Sequence, residues 1–132
     1  MSEDLRRTKL GERSQELHRF LFASLGNLPD ERLAAIYADR SGHVIGEGII
    51  SRGSSDRLLL LSRSLFSQAL KLDARRLVIA HNHPSGDASP SQTDIRTTKT
   101  LARQARELGV ILEDHLIVAA NKIFSMKAGG ML

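Results

Sequence analysis

The stretch from Leu77 to Asp94 constrains the chain more than any other. It runs Leu77-Val78-Ile79-Ala80-His81-Asn82-His83, then Pro84-Ser85-Gly86-Asp87-Ala88-Ser89-Pro90, then Ser91-Gln92-Thr93-Asp94. The first part is a short apolar run bounded by turn residues, the pattern of a buried strand. The second is a loop, shaped by Gly86 and the two prolines. The third opens a long helical pattern over Ser91–Leu108 that stops at Gly109. Strand patterns follow at Val110–Ala119 and Ile123–Met126, around an Asn121-Lys122 turn. Such interleaving needs a sheet covered by helices.

Upstream, Leu17, Phe20, Leu21 and Leu25 recur at three- and four-residue steps. They predict a helix over Glu12–Leu25, with Gly26-Asn27 as its stop and Pro29-Asp30 as a turn. A strand is expected over Leu33–Asp39, with Arg40-Ser41-Gly42 turning the chain into a second strand from His43 to Arg52. Period two puts His43, Ile45, Glu47 and Ile49 on one face of that strand, and Val44 and Ile50 on the other. Glu47 is then an acid among aliphatic neighbours. Leu58–Leu61 reads as a short buried segment, and Ser62 as the cap of a helix holding Leu65, Phe66, Ala69 and Leu70. Hairpins beside helices argue for a mixed sheet. The 132 residues fit one core. Residues 1–11 are polar and aperiodic and read as a flexible N-terminus, leaving 12–132 as a single domain.

The bulk numbers exclude several classes. Hydrophobic residues make up 41% and charged residues 26%, the balance of a soluble globular protein. No apolar run approaches the ~18 residues of a membrane span. The polar, acidic start Met1-Ser2-Glu3-Asp4 lacks a signal-peptide pattern, which with the absence of cysteine suits the cytoplasm. Without cysteine, any metal must be held by nitrogen and oxygen. The net charge of +4 is less one-sided than that of a dedicated DNA-binding domain, but it favours acidic partners.

His81 and His83 are two apart on a strand, so both imidazoles project from one face at its carboxyl end. Side by side they make half of a zinc site. On a helical wheel, Asp94 falls inside the apolar arc of Ile95, Leu101, Ala102, Ala105 and Leu108, with Ser91 beside it. Arg96, Lys99, Arg103 and Arg106 form a positive stripe elsewhere on the wheel. An inward carboxylate needs a partner such as a metal. Two histidines and one carboxylate leave a fourth position for water, the arrangement of a catalytic zinc site. Glu47 is the expected acid/base for that water, and Ser91 the donor to a developing oxyanion. Plainer readings compete. Ser91-x-x-Asp94 also fits a helix capping box, and His-x-His occurs as ordinary polar residues. Capping alone does not require the aspartate to face inward. His115 reads as a supporting or core residue, and His18 and His43 as surface or core.

His81-Asn82-His83-Pro84-Ser85-Gly86 with Pro90-Ser91 and Asp94 resembles the signature of RadC-type proteins of the JAB/MPN (JAMM) metalloprotease superfamily. Asp114-His115 and Gly53 are similar to that pattern too, over roughly Leu33 to Met126. The resemblance implies an α/β/α sandwich with a mixed, mainly antiparallel sheet, similar to cytidine deaminases. It implies zinc on His81, His83 and Asp94, with Glu47 as acid/base and Ser91 as oxyanion helper. Glu47 is chosen because no other acid lies between Asp39 and Asp56. The implied reaction is hydrolysis of peptide or isopeptide bonds next to ubiquitin-like or sulfur-carrier tails. RadC proteins commonly have an N-terminal helix-hairpin-helix region, for which the stretch before Leu33 is too short. The Pro-Arg-Glu usual in the family is reduced here to the arginine of Ser62-Arg63-Ser64.

Three functions compete on this reading: a zinc metallopeptidase or isopeptidase, a DNA-repair-associated nucleic-acid-binding protein or nuclease, and a non-catalytic domain organised by zinc. Sequence leaves the substrate and the oligomeric state open.

Overall fold

A strand with apolar residues on both faces must be covered on both sides. The computed structural model describes residues 5, 9–10, 15–51 and 58–132. The elements run α1 (Gln15–Leu25), β1 (Arg32–Ala38), β2 (Val44–Ser51), α2 (Leu58–Lys71), β3 (Arg76–Asn82), α3 (Gln92–Glu107), β4 (Ile111–Ala119) and β5 (Lys122–Ser125). The five strands lie in the order β2-β1-β3-β4-β5. β1 is antiparallel to β2 and β3, and β5 is antiparallel to β4. Only β3 and β4 are parallel, joined by the crossover through α3.

One face of the sheet packs Ala34, Ile36, Val78, Ala80, Leu116 and Val118 against Leu17, Leu21 and Leu25 of α1. The other packs Leu33, Ala35, Leu77 and Ile79 against Leu65, Phe66 and Ala69 of α2 and Leu101 and Ala105 of α3. This is the expected α/β/α sandwich with a mixed, mainly antiparallel sheet. The helix stop at Gly109 also holds: its φ is +75°, a conformation that favours glycine.

Four local expectations change. First, the leucine run is the opening turn of α2, with Leu59 69% and Leu60 46% exposed. A run of four leucines has no period, so only the packing of the helix separates its inner from its outer members. Second, Ser62 is not a cap. It sits inside α2, buried, and its hydroxyl donates to Gln104 Oε1 at 2.8 Å, tying α2 to α3. Third, β2 carries a bulge. Tyr37 pairs with Gly46 and Ala38 with Val44, so Ile45 is the extra residue. The bulge changes which residues share a face: Val44 joins the α1 side, while Ile45 and Ile50 pack on the α2 side. Fourth, Leu5 and Leu10, in the stretch expected to be flexible, are buried on the α1 side, and the Leu10 amide donates to Gly42 O at 2.7 Å. Those leucines find non-local partners that a local reading of charge and period does not see. The expected helix start at Glu12, the strand end at Arg52 and Gly53 lie outside the described residues.

Candidate metal centre

The carboxyl ends of β3 and β4 lie at the edge of the sheet where β1 begins. Leu33 of β1 stands opposite His81 of β3. Directly opposed residues project from one face, so His81 lies on the side covered by α2 and α3, where it is fully buried. His83 continues the strand direction, with its amide donating to Val118 O at 2.9 Å. The loop then turns at Gly86, whose φ is +89°, and the Gly86 amide donates to His83 O.

The loop delivers Ser91 as the N-cap of α3. Ser91 Oγ accepts from the Asp94 amide and Asp94 Oδ2 accepts from the Ser91 amide, both at 2.9 Å. The capping box and the inward aspartate are therefore both present. Asp94 is 5% exposed, with Oδ1 3.5 Å from His81 Nε2 and Oδ2 3.3 Å from His83 Nε2. Burial pushes its carboxyl pKa up, but a proton on the His81 ring, where one stands in the place a cation would take, and the Ser91 amide outweigh that. The group is held well below the usual carboxylate range.

The hydrogen bonds fix where the imidazole protons sit. His83 Nδ1 is 2.8 Å from the Asp87 carbonyl, which can only accept, so Nδ1 carries the hydrogen and Nε2 the lone pair. Behind His81 runs a longer chain. Thr98 Oγ1 is 2.6 Å from the Asp94 carbonyl oxygen, and the hydrogen between those oxygens belongs to the threonine. Thr98 Oγ1 therefore accepts from His115 Nδ1 at 2.6 Å. His115 Nε2 then accepts from His81 Nδ1 at 2.6 Å, leaving the lone pair of His81 on Nε2. The two Nε2 lone pairs face one another 2.8 Å apart. At that distance they repel unless a proton or a cation lies between them.

One residue outside the sequence expectation completes the group. Glu31, just before β1, brings Oε1 to 3.7 Å from His81 Nε2, with its side chain 39% exposed. One ligand atom each from Glu31, His81, His83 and Asp94 lie within 4.8 Å of one another. A tetrahedral ion bound at ~2.0 Å separates its donors by about 3.3 Å, and the separations here bracket that value. Bare imidazole lone pairs facing a carboxylate thus fit a divalent cation such as zinc.

The structure brings together His81, His83, Asp94 and Ser91, and it does not bring Glu47 to them. Glu47 stands opposite Ile36, two strands away from β3, on the α1 face. The Ile45 bulge sets that face. Glu31 is adjacent because β1 runs antiparallel to β3, so the residue before Leu33 on its face lies near the residue after His81 on its own. The available signal was an acid at the start of the first strand, and using it required the strand order.

Fold and cluster together define an α/β sandwich that carries, at one edge of its sheet, a histidine and carboxylate group fit for a metal ion. Residues 12–131 match the RadC-like JAB domain, and the chain belongs to that family. It is 35% identical over 118 residues to a UPF0758 protein of Rhodobacter capsulatus, covering 89% of this chain and 55% of that protein. A UPF0758 protein of Streptococcus agalactiae is 37% identical over 114 residues, covering 86% and 50%. One from Protochlamydia amoebophila is 36% identical over 121 residues, covering 92% and 52%. The chain thus spans about half the length of these relatives. Among the described residues no helix is long and apolar enough to cross a membrane.

Proposed function

We propose that this domain is a zinc-dependent hydrolase, acting as a metallopeptidase or isopeptidase. The observation that carries the reading is the convergence of two Nε2 lone pairs and the Asp94 carboxylate, with a second carboxylate beside them. His81, His83 and Asp94 hold the ion. When bound, zinc polarises a substrate carbonyl and makes water a better nucleophile near neutral pH.

Glu31 replaces Glu47 as the proton carrier, because its half-exposed carboxylate stands beside the ligands. It takes a proton from the attacking water as the oxygen bonds to the carbonyl carbon. It then passes that proton to the nitrogen as the C–N bond breaks, leaving a carboxylate and an amine. Ser91 Oγ already accepts from the Asp94 amide, so its own hydrogen is left to bond the carbonyl oxygen as charge grows there. A peptide or a ubiquitin-like or sulfur-carrier tail is the substrate class this chemistry suits.

Metal content by mass spectrometry, followed by a panel of peptide and isopeptide substrates, tests the reading. One zinc per chain, lost in His81→Ala and Asp94→Asn, is expected, with turnover lowered roughly 100- to 10,000-fold in Glu31→Gln. A wild-type chain that takes up no zinc overturns it.

A second reading rests on Arg96, Lys99, Arg103 and Arg106, all exposed along α3. It makes the domain a binder of phosphate backbones. Salt-sensitive DNA binding that disappears on charge reversal of those residues supports it, and no binding at low salt removes it.

A further inference from the structure

Asn82 sits between the two histidines, and the proposed chemistry gives it no task. Alternation along β3 turns its side chain to the face away from His81, where it is 2% exposed. The amide does not rest in an apolar pocket. Nδ2 donates to the Asp30 carbonyl at 2.9 Å, across 52 residues of chain. Oδ1 accepts from the Arg32 amide at 2.7 Å, across 50 residues. A carbonyl only accepts and a backbone N–H only donates, so these partners fix the orientation of the amide.

The two anchored groups flank Glu31. The paired register between β1 and β3 runs only as far as Leu33 and His81, so before Leu33 the chain is paired on its β2 side, Arg32 with Ser51, and has no ladder partner on its β3 side. The Asn82 side chain takes the ladder's place there. Held at both neighbours, Glu31 follows the alternation of Leu33 and projects to the face of His81, which is where its carboxylate lies.

We propose that Asn82 is a positioning residue that clamps the peptide groups on both sides of Glu31 and so aims its carboxylate at the metal centre. The proposal deepens the hydrolase reading and rests on Glu31 being the proton carrier. Its weight comes from geometry: a displacement of about 1 Å at a reacting group costs roughly 100-fold in rate.

The test compares wild type with Asn82→Ala and Asn82→Asp. The aspartate keeps an acceptor for Arg32 and has no donor for Asp30. Amide exchange at Arg32 reads the clamp without any metal. Cobalt in place of zinc reads the position of Glu31, since its paramagnetism broadens nuclear resonances close to it. In Asn82→Ala, Arg32 exchange should rise about tenfold. Cobalt uptake should persist, while broadening of the Glu31 side-chain signals is lost. On a cleaved peptide, kcat should fall about 100-fold with KM unchanged, and the Asn82→Ala, Glu31→Gln double variant should be no slower than Glu31→Gln alone. Asn82→Asp should fall between the two, and it decides the matter if Asn82→Ala does not fold. Unchanged Arg32 exchange and unchanged Glu31 broadening overturn the clamp. A wild-type chain that takes up no cobalt overturns the metal reading instead, and exchange still judges the clamp. Full turnover in Glu31→Gln overturns the role of Glu31 and with it this proposal.

Discussion

Two glutamates divide this molecule. Glu47 lies inside β2, at the edge of the sheet, and Glu31 lies where β1 begins, beside the carboxyl ends of β3 and β4. Along the sequence Glu47 has the better credentials, being an acid in an apolar strand. In space it stands on the α1 face opposite Ile36, while Glu31 reaches the histidines. A carboxylate is recruited to a site by strand pairing and register, and the polarity of its sequence neighbours says little about where it ends up.

The widest separation between the two regions is expected in kinetics. With a cleavable peptide and zinc-loaded protein, Glu31→Gln should lower kcat by roughly 100- to 10,000-fold. Glu47→Gln should leave it within about twofold, because Glu47 lies on the opposite face of the sheet from His81. The reverse order of effects would break the comparison.

A smaller effect is expected behind the histidines. Thr98→Val removes the hydroxyl that sets the hydrogen-bond order through His115 to His81. Zinc affinity, measured by chelator competition, should weaken about 10- to 100-fold, and Thr98→Ser should restore it. Equal affinity in wild type and Thr98→Val would show that the chain does not govern the His81 lone pair. Ser91→Ala removes one side of the capping box and should cost about 1 kcal/mol, read as a lower thermal midpoint.

Tyr37 probes the part of the sheet near Glu47. It pairs with Gly46, and its hydroxyl donates to Leu65 O at 2.7 Å. Burial pushes its pKa up to about 12 from 10.0. The folded state thus favours the neutral phenol. Its stabilisation is complete below pH 10 and is lost as the pH rises towards about 12. As the chain has one tyrosine, phenolate absorbance reports this group alone. Absorbance and far-ultraviolet circular dichroism should change together above pH 10. Ionisation near pH 10 with intact dichroism would contradict the burial argument.

The parts legible in the sequence are those governed by short periods. The β3 strand with its paired histidines, the α3 helix with Asp94 turned inward, and the stop at Gly109 follow from spacings of two, three and four. So does the sandwich of helices on a mixed sheet. The parts that escaped depend on contacts distant in sequence. The Ile45 bulge is visible only in the pairing of β2 with β1, and it reverses the face assigned to Val44. Ser62 is mistaken for a cap because its partner, Gln104, belongs to another helix. Glu31 needs β1 placed next to β3, fifty residues on, before it can be seen at the site at all.

The same antiparallel pairing sets an order of events during folding. His81, His83 and Asp94 lie close together in sequence, on β3, its loop and the first turn of α3, whereas Glu31 joins them only once β1 has closed on β3. Closing so long a loop is slow compared with forming a helix. A cation held by that cluster would meet its three ligands before the proton carrier arrives, and would staple the end of β3 to the start of α3. Chelation should loosen that rim of the sheet while the opposite rim, around the β1–β2 hairpin, stays closed.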